Sequence, residues 1–231
     1  MRPDGRRDGL AFDVRDHGPG DTPVVVLLHG FPQDASAYDA VVPLLTDAGV
    51  RTLVPDQRGY SPGARPRGRR PYAVRELVAD VVALLDAAEH AHVAGHDWGG
   101  GIAWALAAHR PDRVASLTAL GTPHPAAMRS GLLRGQALRS WYIGAFQVPR
   151  LPERALLADD GARRAHRRDR LVPRAPARRV GDRACRPGPD DVRLGPSGPV
   201  LRTGVDLDAD HWLPEHRPAD VAAAVLGQVR A

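Results

Sequence analysis

Short apolar runs alternate with helical patterns over the first two-thirds of the chain. Runs rich in β-branched residues that end at glycine, proline or a polar turn predict buried strands, and apolar residues recurring every three to four positions predict helices. Strands are predicted at residues 23–29, 51–55, 92–95 and 114–120, and helices at 36–48, 74–88 and 101–109. This alternation predicts an α/β fold with a mostly parallel, doubly wound sheet and helices on both faces.

The last third of the chain interrupts this alternation. Residues 158–203 show neither the apolar period of a strand nor that of a helix. Residues 151–203 contain seven prolines, and their 13 arginines outnumber their seven acidic residues. A segment of that composition is difficult to pack as a core, so we predict an exposed or disordered excursion. Regular patterns return with a strand predicted at 205–208 and a closing helix at 219–230.

Composition and charge narrow the class of protein. The 231 residues suffice for one α/β domain, and all 32 basic residues are arginine. Most of the basic excess lies in residues 151–203 and on no recognisable nucleic-acid-binding motif, so no nucleic-acid partner is expected. The single cysteine, Cys185, favours a reducing compartment, and no apolar run reaches the roughly 18 residues of a membrane span. We therefore expect a soluble, cytoplasmic protein of undetermined oligomeric state.

The sequence VAGHDWGGGIAWALA places Asp97 between Gly95 and Gly99, where a predicted strand turns into a predicted helix. A Gly-x-nucleophile-x-Gly turn exposes its central side chain above the sheet, and the beginning of a helix favours an anion there. Taken alone, this segment is also compatible with an ordinary glycine-rich turn that carries an incidental aspartate.

Two further motifs lie at the positions in the chain where the oxyanion hole and the histidine that accompany such a nucleophile are expected. The HGFP motif at residues 29–32 directly follows a predicted buried strand, so the main-chain N–H of Phe31 is expected to form an oxyanion hole with that of Trp98. His211, in DADHWLPE, comes after the late strand and before the closing helix. That position fits the chain order nucleophile, acid, histidine.

Together, HGFPQ, PDQRGYSPGARP, GHDWGG, GTPHP and DHWLPE resemble the epoxide hydrolase and haloalkane dehalogenase branch of the α/β-hydrolases. The resemblance covers residues 10–157 and 205–231. It implies that Asp97 attacks an alkyl carbon to form an ester, and that His211 activates the water that hydrolyses this ester. It also implies a small-molecule substrate, bound by Trp98 and Tyr142. No metal or cofactor is expected, because the histidines lack ligand spacing and no dinucleotide or phosphate-loop pattern occurs.

The resemblance also implies the domain organisation. Residues 1–125 are expected to form the first part of the hydrolase core and residues 204–231 its remainder. Residues 126–203 are expected to form a shortened cap together with the irregular arginine-rich segment.

The chain departs from the family at three places. The acid that orients the histidine is expected in a Gly-Asp-x-Asp stretch, but Ala184 stands at the second aspartate, so Asp182 is the nearest substitute, followed by Asp190 and Asp191. One of the two cap tyrosines of epoxide hydrolases is replaced by Ala145, and no tyrosine follows Tyr142. Finally, only 85 residues separate Pro125 from His211.

Three hypotheses follow from these observations. The first is an epoxide hydrolase-like enzyme, and the second is a haloalkane dehalogenase-like enzyme. The third is a catalytically silent family member in which residues 158–203 are read in a shifted frame or are partly deleted.

Overall fold

A five-stranded sheet forms the centre of the computed structural model, which describes residues 5–85, 89–125 and 211–231. A short hairpin of β1 (Arg6–Arg7) and β2 (Leu10–Ala11) precedes this sheet. The sheet contains β3 (Val14–His17), β4 (Val24–Leu28), β5 (Arg51–Pro55), β6 (Ala91–His96) and β7 (Val114–Leu120), in the order β3-β5-β4-β6-β7. β3 pairs antiparallel with β5, and the other neighbours pair parallel.

Helices cover both faces of the sheet. They are α1 (Val42–Thr46), α2 (Val74–Leu84), α3 (Trp98–His109), α4 (Leu213–His216) and α5 (Pro218–Val229). Successive residues of β4 point to opposite faces. Val25 and Leu27 pack with residues of α1 and α5, whereas Val26 and Leu28 pack with residues of α2 and α3.

All four of these β4 side chains are fully buried, and each burial contributes about 1.5–3 kcal/mol. A strand buried on both faces requires an uninterrupted apolar run, which explains the sequence VVVLL. The predicted α/β fold with a mostly parallel, doubly wound sheet is confirmed.

The predicted strands at 51–55 and 114–120 agree with β5 and β7, and the predicted closing helix agrees with α5. The continuous helix predicted at 36–48 is wrong. A 3-10 turn at Ala35–Tyr38, capped by the Asp34 side chain, comes first, and α1 then begins with Pro43 in its first turn. Proline lacks the N–H that an uninterrupted helix would need at that position.

Several sequence predictions lie outside the described residues. These are the strand at 205–208, the irregular segment at 158–203 and the shortened cap, so the proposed domain limits remain predictions. Among the described helices, none is long and apolar enough to cross a membrane.

Candidate active site

Asp97 is the single residue that joins β6 to α3, and its backbone is strained. Its φ and ψ are 49° and −115°, a conformation that costs a residue with a Cβ atom about 1–3 kcal/mol. Three hydrogen bonds hold it there. The Asp97 N–H donates to the Leu120 carbonyl at 3.1 Å, and the Asp97 carbonyl accepts from the Thr122 hydroxyl at 2.8 Å and from the Gly101 N–H at 3.1 Å.

The glycines around Asp97 are required by close packing. A Cβ atom on Gly95 would clash with the Gly99 carbonyl, and one on Gly99 would clash with the carbonyl oxygen of Leu28. A Cβ atom on Gly100 would lie 2.6 Å from the Thr122 hydroxyl oxygen. The turn therefore presses the first residues of α3 against the ends of β4 and β6.

The loop after β4 approaches the Asp97 side chain closely. The Phe31 N–H donates a hydrogen bond of 3.1 Å to Oδ2 of Asp97. Gly30 permits this approach, since a Cβ atom there would lie 2.6 Å from the Asp97 Cβ. The carboxylate also lies at the beginning of α3, where the helix dipole favours negative charge.

His211, which follows Phe31 by 180 residues in the sequence, contacts the same loop. Its Nε2 lies 2.9 Å from the Phe31 carbonyl oxygen, and its ring centroid lies 5.2 Å from that of His96. Phe31 thus contacts Asp97 through its N–H and His211 through its carbonyl. The structure brings these three residues together although they come from three separate parts of the chain.

Trp98, the first residue of α3, has an exposed indole with 56% of its surface accessible. It therefore does not belong to the core. The other two predicted site residues, Asp182 and Tyr142, lie outside the described residues.

A set of polar residues that the sequence patterns did not predict supports the Phe31 loop. The buried His29 ring bonds with the Gly30 carbonyl through Nδ1 at 3.0 Å and accepts the Gln57 N–H at Nε2 at 3.1 Å. Burial lowers the pKa of His29, so a neutral ring that donates from Nδ1 satisfies both contacts. The Tyr60 ring packs edge-on against His29 at 4.6 Å. Gln57 and Tyr60 belong to the motif PDQRGY, which contributes to the family resemblance but to which the sequence alone assigns no role.

His96, directly before Asp97, is a second buried histidine that was missed. Its Nδ1 lies 2.8 Å from Oε1 of Gln33. Burial, and next the neighbouring ring of His211, lower the pKa of His96 to about 4. His96 is therefore neutral at pH 7, and it places no positive charge beside Asp97.

The geometry supports nucleophilic chemistry by a carboxylate. One oxygen of Asp97 is held by a main-chain donor, and a histidine lies on the other side of the same loop. Within residues 5–85, 89–125 and 211–231, no group of three or more His, Cys, Asp or Glu residues is arranged to hold a metal ion.

Comparison with known proteins agrees with this architecture. Residues 23–172 match the family model described as alpha/beta hydrolase fold. An AB hydrolase superfamily protein of Bacillus subtilis is 40% identical over 157 residues, which cover 66% of this chain and 55% of the relative. Epoxide hydrolase A of Mycobacterium tuberculosis is 39% identical over 160 residues, covering 66% of this chain and 49% of the relative.

A solved structure is similar over most of the chain. Epoxide hydrolase A from Mycobacterium thermoresistibile has a TM-score of 0.61 and 29% identity, with 96% of this chain and 70% of that chain covered. The chain belongs to the α/β-hydrolase fold family. Within that family, it falls in the epoxide hydrolase-like branch. It spans about half the length of the curated relatives it matches.

Proposed function

We propose that this chain is a hydrolase that opens a small electrophile, an epoxide in the first place, with Asp97 as its nucleophile. The observation that carries the proposal is the position of Asp97. Its carboxylate stands on a strained strand-to-helix turn, and the Phe31 N–H donates to one of its two oxygens. A carboxylate displaces at saturated carbon without prior deprotonation, whereas a serine at this position would first need a base.

In the first step, Oδ1 of Asp97 attacks the epoxide carbon, because Oδ2 is occupied by the Phe31 N–H. A carbon–oxygen bond forms to Asp97, the carbon–oxygen bond of the ring breaks, and the released oxygen takes up a proton from solvent water. We assign substrate contacts in this step to Trp98, whose exposed indole follows the nucleophile directly, and to Tyr142.

In the second step, His211 removes a proton from water, which attacks the carboxyl carbon of the ester. When the tetrahedral intermediate collapses, the bond between this carbon and the substrate-bound oxygen breaks, His211 returns its proton to the departing oxygen, and the Asp97 carboxyl group loses a proton to solvent. The negative charge then develops on an oxygen bonded by Phe31, with the Trp98 N–H as the second donor, and one such donor contributes about 3–4 kcal/mol in other enzymes. Nε2 of His211 faces the Phe31 carbonyl at 2.9 Å. If Nε2 is the base, the ring must leave this contact before it accepts the water proton. We assign the acid that orients His211 to Asp182.

The same site would serve a haloalkane, with a halide as the leaving group in the first step. Ala145 stands where epoxide hydrolases usually have a cap tyrosine that donates a proton. This replacement favours the second candidate, because the release of a halide needs no proton donor. The alternative that is not an enzyme is a catalytically silent member of the family.

The experiment that tests the proposal measures turnover of a styrene-type epoxide, a haloalkane and an activated ester. Asp97→Asn keeps the shape and the hydrogen-bond acceptor but removes the nucleophile, and we expect turnover to fall by about 10⁴-fold or more. Asp112→Asn is the matched control, since Asp112 pairs with Arg110 at the exposed far end of α3. Equal turnover by Asp97→Asn and the original chain would refute the assignment, and no turnover by a well-folded chain would favour the silent alternative.

A further inference from the structure

The peptide group between Gly30 and Phe31 is hydrogen-bonded on both sides. Its N–H, on Phe31, donates to Oδ2 of Asp97 at 3.1 Å. Its carbonyl, on Gly30, lies 3.0 Å from Nδ1 of His29 and accepts the Gln33 N–H at 3.1 Å. These contacts fix the plane of the peptide group and therefore the direction in which its N–H points.

Gln57 determines how the His29 ring bonds. The ring is fully buried, and the main-chain N–H of Gln57 donates to its Nε2 at 3.1 Å. A main-chain N–H can only donate, so Nε2 must accept, and the ring proton lies on Nδ1, which donates to the Gly30 carbonyl. The Gln57 side chain also donates to the main-chain carbonyl of His29 at 2.5 Å. The orientation of the Phe31 peptide group thus depends on the position of Gln57.

The residue after Gln57 is anchored by a buried ion pair. The Arg58 side chain is 5% exposed, and it donates one hydrogen bond of 2.7 Å to each carboxylate oxygen of Asp80 on α2. Its remaining nitrogen, Nη1, donates to the Pro71 carbonyl at 3.1 Å. All three nitrogens of this guanidinium group are therefore bonded to α2 or to the segment that precedes it.

Asp80 also joins the hairpin of β1 and β2 to this pair. Arg7 donates from Nη1 to Oδ1 of Asp80 at 2.6 Å and pairs with Glu76 at 3.1 Å. Replacing a buried ion pair by apolar side chains of similar size often leaves the stability unchanged, because burial removes the charges from water. A pair that bonds through two nitrogens and two oxygens does supply a fixed geometry. The network is therefore suited to hold Arg58 in one position.

We propose that Asp80 is a positioning residue, which orients the Phe31 N–H through its ion pair with Arg58. The pair fixes Arg58 and with it the adjacent Gln57. Gln57 holds the His29 ring, and this ring holds the Phe31 peptide group against the proposed nucleophile. The inference rests on the proposed function, and it gives a residue of α2 a role in the second chemical step.

The charge on Asp97 determines which step this role affects. The Phe31 N–H stabilises negative charge on Oδ2, which is present in the free carboxylate and in the tetrahedral intermediate but not in the neutral ester. A misplaced N–H therefore raises the barrier from the ester to the intermediate, whereas it does not raise the barrier for attack of the carboxylate on the substrate. We expect loss of the ion pair to slow hydrolysis of the ester and to leave its formation nearly unchanged.

The variant that tests this role is Arg58→Met/Asp80→Leu. It removes both charges together, so neither is left buried without the other, and Arg7 retains its other carboxylate partners. Arg58→Lys is a second variant, which keeps the positive charge but cannot bond both oxygens in the same fork. Arg51→Met/Asp16→Leu is the matched control, because Arg51 also bonds both carboxylate oxygens of its partner, but at the opposite end of β5.

The first measurement is hydrogen exchange of main-chain amides by NMR, which needs no substrate. In both Arg58 variants we expect the Gln57 and Phe31 amides to exchange at least about tenfold faster relative to the amide of Val93, which lies between β4 and β7 and reports any general loss of stability. The control variant should leave these ratios unchanged. Unchanged ratios in a folded Arg58 variant would overturn the proposal whether or not the chain is active.

The second measurement is single-turnover kinetics with a styrene-type epoxide, in which the ester on Asp97 forms and then decays. In Arg58→Met/Asp80→Leu we expect the decay to slow by about 10-fold to 100-fold and the formation to change by less than about threefold. Unchanged decay, or equal slowing of both steps, would contradict the proposal, because a general distortion of the site affects both. An original chain without turnover would refute only the proposed function, and the exchange measurement would still decide the positioning role.

Discussion

The carboxylate of Asp97 accepts a hydrogen bond of 3.1 Å from the main-chain N–H of Phe31, a residue that follows a different strand of the sheet. A main-chain donor at this place is held by the fold itself, and Gly30 lets it approach. In the proposed mechanism, the same N–H bonds the same oxygen in the free carboxylate, in the ester and in the tetrahedral intermediate. Donors fixed in advance stabilise developing charge without the cost of reorganisation.

His211→Gln should separate the two chemical steps. We expect Asp97 to be alkylated by an epoxide at its normal rate, and the ester to accumulate because no base activates water. Mass spectrometry of the peptide that contains Asp97 should show the added mass of the substrate. His109→Gln, at the exposed end of α3, is the control and should turn over normally. Failure of His211→Gln to accumulate any adduct, with full turnover retained, would contradict the assigned role.

Two glycines of the turn should respond oppositely to alanine. Gly99→Ala places a methyl group against the carbonyl oxygens of Leu28 and His29, so we expect the free energy of unfolding to fall by about 1–3 kcal/mol. Gly101→Ala meets nothing within 4 Å on an exposed helical position. It should raise the free energy of unfolding by about 0.5–1 kcal/mol. Urea unfolding of both variants measures the difference, and equal effects would show that packing does not select glycine at 99.

The backbone strain at Asp97 should be measurable. Both Asp97→Gly and Asp97→Ala remove the carboxylate, but only glycine adopts a φ of 49° without penalty from a Cβ atom. We therefore expect the glycine variant to be more stable than the alanine variant by about 1–2 kcal/mol, with no activity in either. Thermal or urea unfolding gives the comparison. An alanine variant as stable as the glycine variant would mean that the turn is not strained.

The buried His96 should make stability depend on pH. Its pKa is lowered from 6.5 to about 4 in the folded state, so the unfolded state binds more protons as the pH falls through this window. The free energy of unfolding should therefore decrease between pH 7 and pH 4, by on the order of 2–3 kcal/mol from this residue. His29, whose pKa is also lowered by burial, acts in the same direction.

Urea unfolding across the same pH range provides the measurement. His96→Asn removes the titrating ring, and we expect a shallower pH dependence in this variant. If the slope of His96→Asn equals that of the original chain, the acid sensitivity comes from other groups.

The sequence by itself determined the class of fold. The apolar run 24–28 specifies a strand because a strand buried on both faces favours an uninterrupted series of apolar side chains. The turn at Asp97 was also predictable, since glycines two residues to either side allow a side chain to stand at the end of a strand. The helix predicted at 36–48 failed because one proline outweighed a favourable apolar period.

Only the tertiary structure decided which polar residues support the site. Nothing in the local pattern shows that Gln57 bonds His29, that Thr122 bonds the Asp97 carbonyl, or that Gln33 meets His96. These partners come from different loops, which meet because the parallel strands end at one edge of the sheet. Apolar periodicity is a local property of the chain, whereas a buried polar atom must find its partner wherever the fold places one.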